Sequence, residues 1–433
     1  MKHIPLLASS LVLALATAAT ASTWSGGNDN WNSDSSPGWN GTGVPNSQGA
    51  VALFHNIANA KVTQDDVAGV TVGQFIRTGT ASNDINFTGP GANAIGMVFD
   101  MDGDGPLHAV VSNATTRRIS MSDTGYVLND DLDLVNALEG DAGNTYCISI
   151  SGKISGTGKN LTLDNVVNAP GANAIALTGA NTFTGNVLIR RGGVRLSKDN
   201  SLGNGNNPVA LGENGCGGAT LALYGSSVSI AYPITLAAEP GGVLRLCSFI
   251  DSYTKKNWNH ILRGPVAMTS PLVVESPRFA EDAFTGSFDF KGILSGAGSL
   301  TKTGPGLVTL QAANTYTGGT TVQEGTLSAT ANGRLGTGDV AVAPGATLSL
   351  ASGSAVATTA NLSLGTTGDA FGKMDLGVNA TVKTLAFGTR LQPKGTYGAT
   401  GSGAATIDDR HFSGTGVLTV LEGPPLSTVL FLR

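Results

Sequence analysis

One stretch of this chain is repeated in register. Asn314–Leu327 reads Asn-Thr-Tyr-Thr-Gly-Gly-Thr-Thr-Val-Gln-Glu-Gly-Thr-Leu, and a looser copy occupies Asn181–Val194. The alignment continues without a gap as far as Gly203 and Gly336. Self-similarity of this kind marks structural units that bury their apolar faces against one another. The repeat therefore predicts stacked structural units before it predicts a catalytic centre.

The repeat aligns turn residues as well as strand residues, as a stack of similar coils requires. We expect structural roles at eight aligned positions. They are Asn181, Phe183, Gly185 and Gly192 in the first copy, and Asn314, Tyr316, Gly318 and Gly325 in the second.

Short apolar alternations such as Val187–Ile189 and Leu307–Leu310 recur along the chain, bounded by Gly, Asn, Asp or Pro. Glycine makes up 61 of 433 residues, about twice the usual share, which indicates many tight turns. Sandwiches and propellers need longer hairpin strands, so these patterns favour a solenoid. We predict an all-β, elongated parallel β-helix with atypical N- and C-terminal caps. Only Tyr253–Leu262 hints at a helix.

The first residues have the pattern of a secretory signal peptide. Lys2 precedes the apolar run Leu6–Ala18, and Ala19-Thr-Ala21 fits a cleavage site. No later run is apolar enough for a membrane span, so we expect an exported chain. We divide the chain into the signal peptide (1–21), the N-terminal cap and first coils (22–150), the coils with both repeats (151–350) and the final coils with the C-terminal cap and tail (351–433).

The net charge limits which partners the chain can bind, and the number of cysteines limits which disulfides it can form. The net charge of −5 does not suit nucleic acid or an anionic membrane, since both are bound through basic patches. The three cysteines, Cys147, Cys216 and Cys247, are an odd number, so one at least stays unpaired or pairs between chains. Cys216 and Cys247 are the nearer two in the sequence. Either they form a disulfide between adjacent coils, or they remain buried thiols.

Asp100-Met-Asp-Gly-Asp-Gly105 is the strongest cofactor candidate. Asp100, Asp102 and Asp104 stand at the first three ligand positions of a calcium loop, and a glycine follows where the loop turns sharply. The last ligand position holds Val111 in place of glutamate. A solvated turn between two strands is the competing interpretation, and we otherwise expect no cofactor.

Three acidic groups are candidates for general acid/base work on polysaccharides. They are Asp65-Asp66, Asp130-Asp131 with Asp133, and Asp408-Asp409-Arg410-His411. Neighbouring residues of a strand point to opposite faces, so an adjacent pair is not by itself such a site. The histidines have no metal-ligand spacing, and polar turns are the competing interpretation.

Trp24, Trp31 and Trp39 cluster near the predicted N-terminal cap. Exposed rings would stack on sugars and form a glycan-binding patch, whereas buried rings would cover the open apolar end of the coil.

Leu294–Leu327 resembles the autotransporter-associated β-strand repeat, also called the passenger-associated transport repeat. Leu300-Thr-Lys-Thr-Gly304 and Asn314-Thr-Tyr-Thr-Gly-Gly-Thr320 carry the resemblance, and Ile154–Leu161 with Asn181–Val194 looks like a degenerate copy. The resemblance implies a right-handed parallel β-helix that is exported and often displayed on the cell surface. It carries no catalytic set. The residues after the second copy are too few for the membrane barrel with which autotransporters end, so the export route past the inner membrane stays open.

We therefore expect a secreted or surface-displayed bacterial β-helix with a structural or adhesive role and no catalysis. Its partner stays open, with extracellular polysaccharide and cell-surface components as candidates. The alternatives are a polysaccharide-active lyase or hydrolase on the same scaffold and a glycan-binding module. Two or more carboxylates and a basic residue that converge in a groove would favour the enzyme.

Overall fold

The computed structural model describes residues 21–24, 27, 29–31, 39–40, 43–57, 60–63, 69–79, 83–89, 95–103, 105–122, 125–137, 146–167, 174–225, 227–249, 258–276 and 287–424. Within them every regular element is a β-strand. The chain divides into two compact units. The first comprises residues 1–224 with 239–242, and the second comprises residues 225–238 with 243–433.

The strands of the first unit mostly have two to five residues, while Val187–Leu196 and Gly217–Tyr224 are longer. They are β1 (Ser22–Trp24), β2 (Asp29–Asn30), β3 (Trp39–Asn40), β4 (Val51–His55), β5 (Ala60–Thr63), β6 (Val70–Val72), β7 (Gln74–Thr78), β8 (Ile85–Thr88), β9 (Ile95–Phe99), β10 (Ala109–Asn113), β11 (Ile119–Ser122), β12 (Gly125–Leu128), β13 (Leu132–Asn136), β14 (Tyr146–Ile150), β15 (Lys153–Ser155), β16 (Leu161–Asn165), β17 (Ala174–Leu177), β18 (Val187–Leu196), β19 (Val209–Leu211) and β20 (Gly217–Tyr224).

These strands stack into three parallel sheets, and the chain passes from one sheet to the next as it winds; within the described residues the third sheet has only four strands. The first sheet runs β4, β7, β10, β13, β16, β18 and β19. The second runs β5, β8, β11, β14, β17, β18 and β20. The third runs β6, β9, β12 and β15. Apolar side chains align along the inside, as in the buried column Val111, Leu134, Leu163, Ile189 and Leu211.

The strands of the second unit follow, together with β23, which begins in the last residues of the first. They are β21 (Ser229–Ile230), β22 (Ile234–Leu236), β23 (Gly241–Phe249), β24 (His260–Leu262), β25 (Val266–Ala267), β26 (Leu272–Glu275), β27 (Ser287–Phe290), β28 (Leu294–Ser295), β29 (Leu300–Thr303), β30 (Leu307–Leu310), β31 (Thr320–Val322), β32 (Thr326–Ala329), β33 (Val340–Val342), β34 (Thr347–Leu350), β35 (Asn361–Leu364), β36 (Thr366–Thr367), β37 (Ala370–Phe371), β38 (Lys373–Leu376), β39 (Ala380–Val382), β40 (Thr384–Phe387), β41 (Arg390–Leu391), β42 (Gly395–Gly398), β43 (Thr406–Ile407), β44 (Phe412–Gly414) and β45 (Leu418–Val420).

The second unit repeats the parallel stacking. One sheet runs β23, β26, β29, β31, β33, β35 and β40, and another runs β21, β24, β27, β30, β32, β34, β38 and β44. Parallel coils pair each backbone edge with the next coil and bury a continuous inner face. The predicted all-β parallel β-helix is confirmed. The helix suggested over Tyr253–Leu262 is wrong where it is described, since His260–Leu262 is a strand whose first and last side chains are buried.

Antiparallel pairs occur near the ends of the described chain. In the first unit β1 pairs antiparallel with β3. In the second unit β36 pairs with β37, β40 with β41, and β42 with β45 in this way. These hairpins and crossings interrupt the coil pattern, as a cap must if it is to end a row of open strand edges.

A column of asparagines lies inside the first unit. Asn113, Asn136 and Asn165 are in register on β10, β13 and β16 and are fully buried. Asn136 Nδ2 donates to Asn165 Oδ1 at 2.8 Å, and Asn165 Nδ2 donates to the carbonyl of Gly193 at 3.0 Å. Buried amides of this kind satisfy the backbone groups that the turns leave open.

Replacing Asn165 by Ala should lower the free energy of unfolding by about 2–3 kcal/mol, because buried partners in two adjacent coils lose their bonds. Chemical denaturation followed by circular dichroism measures the loss. The matched control is Asn186→Ala, an exposed asparagine of the same unit. Equal midpoints for the two variants would contradict a structural role for the column.

Candidate functional site

The aligned asparagines of the two repeats make the same contacts. Asn314 Oδ1 accepts a hydrogen bond from Leu294 N at 2.8 Å, and its Nδ2 donates to Arg334 O at 2.8 Å. Asn181 Oδ1 accepts from Ile154 N at 2.8 Å, and its Nδ2 donates to Ser201 O at 2.5 Å. The amide oxygen thus bonds the backbone of the preceding coil, and the amide nitrogen bonds the backbone of the following coil. Both side chains are buried.

The other aligned positions lie where coils approach most closely. Phe183 and Tyr316 are fully buried, and the Tyr316 hydroxyl lies 2.7 Å from Thr320 Oγ1. A Cβ added to Gly192 would lie 2.0 Å from the carbonyl oxygen of Asn165, and one added to Gly318 would lie 2.4 Å from that of Gly298.

Gly185 and Gly325 are equally constrained. Added Cβ atoms would lie 2.1 Å from the Lys159 carbonyl oxygen and 2.6 Å from the Gly306 carbonyl oxygen, respectively. All eight aligned positions therefore serve packing between coils.

Lys302, from the Leu-Thr-Lys-x-Gly step, points into the second unit and is fully buried. Its Nζ donates to the carbonyl oxygens of Thr303 at 3.1 Å and Glu324 at 2.9 Å, and also to that of Gly304. Burial lowers the pKa of this amine to about 8, against the opposing charges of Glu324 and Glu275. The lysine acts here as a donor to turn carbonyls.

The three N-terminal tryptophans are buried, with exposed fractions of 1% for Trp24, 0% for Trp31 and 8% for Trp39. Trp39 packs edge-on against Trp24 and Trp31 at centroid distances of 5.1 and 4.7 Å. Trp31 also stacks on Phe75. The glycan-binding expectation needed exposed ring faces, and these rings are used to cover the apolar interior instead.

Two carboxylates of the predicted calcium loop, Asp100 and Asp102, accept hydrogen bonds from the protein. Asp100 Oδ1 accepts from Gln48 Nε2 at 2.9 Å and from Gly103 N at 3.0 Å, and Asp100 Oδ2 accepts from Asn129 Nδ2 at 3.2 Å. Burial opposes ionisation of Asp100, but these bonds hold its pKa below the ordinary value. Asp102 Oδ2 accepts from Leu107 N at 3.2 Å, and Asp104 lies outside the described residues. Calcium binding stays a prediction.

His108 joins two of the predicted acidic residues. Its Nδ1 lies 3.2 Å from Asp133 Oδ1, and its Nε2 lies 3.8 Å from Asp131 Oδ2. The imidazole is 44% exposed at a cleft of about 320 Å³, which Lys159 and Asn160 also line. Asn160 donates to both oxygens of Asp131, at 2.7 and 2.8 Å. His108 and Asp131 therefore line this polar cleft together, and Asp133 contacts the imidazole without lining the cleft.

Charged residues continue beside this cleft on the next coils of the first unit. Arg191 Nε donates to Asp164 Oδ1 at 2.5 Å, and Arg190 Nε lies 2.8 Å from Glu213 Oε2. Burial opposes the charge of Arg190, but Glu213 and Asp164 raise its pKa. These arginines pair with Asp164 and Glu213, and the carboxylates that contact His108 are those of Asp131 and Asp133.

The third acidic group, at Asp408–His411, is a compact cluster in the second unit. His411 Nδ1 lies 2.8 Å from Asp408 Oδ2, and Arg410 Nε lies 3.3 Å from Asp408 Oδ1. The carboxylate of Asp409 instead accepts hydrogen bonds from the backbone N–H and the hydroxyl of Thr400, both at 2.7 Å. Asp65 and Asp66 lie outside the described residues.

The cysteines form no disulfide, so the considered bridge between Cys216 and Cys247 is absent. The Cys216 thiol donates to Glu213 Oε2 at 3.1 Å. Burial raises the pKa of Cys147 to about 12, which makes it an unreactive thiol.

A metal site needs several ligand side chains close together, and a membrane span needs a long apolar helix. Among the residues that the structure describes, no group of three or more His, Cys, Asp or Glu side chains has a metal-binding arrangement. In that same part of the chain no helix is long and apolar enough to cross a membrane.

Sequence reasoning missed Asn113, Asn136, Asn165 and Thr366, which contacts His411. The asparagines are unequally spaced in the sequence, so only the pairing of coils aligns them.

The passenger-associated-transport-repeat profile matches residues 171–196 and 300–329. The chain thus carries this repeat twice, which confirms the resemblance, and the first match leaves Ile154–Leu161 outside it. No match was found among curated proteins or among solved structures.

Lys302 should make the stability depend on pH in a definite direction. Its pKa is about 8 in the folded protein, against 10.5 for an ordinary lysine side chain, so between these values the unfolded chain binds more protons. The free energy of unfolding should therefore rise as the pH increases from about 8 to about 10.

Denaturation midpoints at several pH values measure this rise, which Lys302→Met should remove. Lys373→Met is the matched control, because Lys373 is exposed in the same unit. The same pH slope in Lys302→Met and the wild type would rule out Lys302 as its source.

Proposed function

We propose that this chain is an exported bacterial β-helix whose coils serve a structural or adhesive role at the cell surface. A passenger-associated transport repeat indicates an exported or surface-associated protein. The observation that carries the proposal is the use of the repeat's signature side chains. Asn181, Asn314 and Lys302 are buried and hydrogen-bonded to neighbouring backbone.

Because the repeat's signature side chains are buried and bonded to backbone, they favour a structural scaffold over an enzyme. A catalytic group must reach its substrate, whereas these groups are directed between coils. The outward side chains are then free to differ from coil to coil, which suits a long contact surface. Extracellular polysaccharide and cell-surface components are the partners that this role would require.

The proposal predicts that the protein reaches the outside of the cell and binds surface material without changing it. Protease added to intact expressing cells should degrade the protein, and the purified protein should sediment with insoluble polysaccharide while no reducing ends appear. A periplasmic or cytosolic marker protein must survive the same protease treatment. Full protection of the protein would contradict surface display.

The second candidate function is polysaccharide hydrolysis at the His108 cleft. It rests on the two carboxylates, Asp131 and Asp133, that lie at 3.8 and 3.2 Å from the imidazole nitrogens. Paired acid and base groups of this kind serve glycosidic cleavage. The net acidic lining would repel uronic acids, so neutral or amine-bearing polysaccharides are the favoured substrates.

If this cleft is catalytic, neutral or amine-bearing polysaccharide should yield new reducing ends, and His108→Gln should lower the rate by about 100-fold or more. His55→Gln is the matched control, because His55 is an exposed histidine of the same unit that bonds to Thr78 and Asn56. Equal rates for the two variants, or no product at all, would exclude hydrolysis at this cleft.

A further inference from the structure

A hydroxyl, an imidazole and a carboxylate form a chain in the second unit. Thr366 Oγ1 lies 3.3 Å from His411 Nε2, and His411 Nδ1 lies 2.8 Å from Asp408 Oδ2. These are the contacts of a nucleophile with its base and of the base with the group that orients it. The three residues come from the β36–β37 hairpin and from the turn before β44.

The proton positions follow from the partners. Burial opposes ionisation of Asp408, but the bond from His411 holds the pKa of this carboxyl below its ordinary value. An ionised carboxylate only accepts hydrogen bonds, so His411 Nδ1 carries the proton. In the neutral ring Nε2 then has a lone pair directed at the Thr366 hydroxyl. This is the tautomer that a general base requires.

The surrounding residues hold the ring in place. Phe387 stacks on His411 at 4.0 Å and an interplanar angle of 6°, and Phe371 packs edge-on at 5.1 Å. His411 is only 3% exposed and Asp408 only 10%, whereas Thr366 is exposed. An exposed threonine therefore lies beside a buried imidazole that two aromatic rings contact.

A positive charge lies on the same aromatic ring. The guanidinium carbon of Arg410 is 5.4 Å from the centre of the Phe371 ring, while Phe371 is paired with Thr366 in the hairpin. Arg410 is largely exposed at 68%. Its Nε also lies 3.3 Å from Asp408 Oδ1, so the guanidinium helps to keep this carboxylate ionised.

We propose that Thr366, His411 and Asp408 form an acyl-transfer site for small O-acyl esters. The site lies outside the two matched repeats. It is independent of the structural role proposed for the coils and of the His108 cleft.

The reaction balances within the named groups and water. Thr366 Oγ bonds to the ester carbonyl carbon while its proton passes to His411 Nε2. The carbon–oxygen bond to the alcohol breaks, and the alcohol leaves with that proton. Water then attacks the acyl-threonine, again giving a proton to His411 Nε2. The threonine hydroxyl is restored and a carboxylic acid is released.

The test uses the purified full chain with p-nitrophenyl acetate. We expect release of p-nitrophenol, acetylation of Thr366 detected by peptide mass spectrometry, and a loss of about 100-fold or more in Thr366→Val. Thr366→Ser should keep activity, because it retains the hydroxyl. Thr367→Val is the matched control, since Thr367 is the exposed neighbour on the same strand.

Thr366 is exposed, so its substitution should leave the fold intact, and circular dichroism with thermal denaturation checks this. Equal rates in Thr366→Val and Thr367→Val would overturn the proposal. Acetyl groups found only on lysine or histidine would do the same, since they would show ordinary surface acylation.

Discussion

The fold depends on hydrogen bonding between the backbones of successive coils. Each parallel strand must lie directly against the strands before and after it, and the turns must then pass one another at the same close spacing. At Gly192 and Gly318 the carbonyl of the neighbouring coil occupies the space that a side chain would need. Small turn residues are therefore a condition of the stacking. The high glycine content follows from backbone geometry and does not indicate a phosphate-binding loop.

Close stacking also creates a polar problem that the buried amides solve. A turn that is buried between coils leaves backbone donors and acceptors that water does not reach, and an unmatched buried group is costly. Asn314 and Asn181 satisfy one donor and one acceptor each on either side of themselves. Lys302 does the same for carbonyls alone, because an ammonium group has only donors to offer. Polar side chains that suggest chemistry in the sequence thus form hydrogen bonds to buried backbone groups.

The sequence predicted those parts of the structure that recur. The strand class, the parallel stacking and the importance of Asn181 and Asn314 all follow from a pattern that appears twice. The contact of His108 with Asp133, and of Thr366 with His411, follows from no local pattern. Each joins residues on different coils or turns, and their alignment depends on coil lengths that vary along the chain. The burial of Trp31 was equally undetermined, since a terminal ring covers an open coil or faces solvent according to how the cap folds.

This division explains where chemistry can arise in such a protein. Inside the regular coils, inward side chains are buried in apolar packing or in hydrogen bonds to backbone, so a reactive group there has no access to substrate. The His108 cleft and the Thr366 hairpin are different, because each includes a segment that departs from the coil path. Gly103 and the segment Gly105–Leu107 border the first, and the antiparallel β36–β37 pair carries the second. The neighbouring coils then hold the partner side chains in place. The partner of His108 is Asp133 on β13, and the partner of Thr366 is His411 in the turn before β44. Irregular segments supply access and the stacked coils supply fixed positions, which is the combination that a positioned acid, base or nucleophile requires.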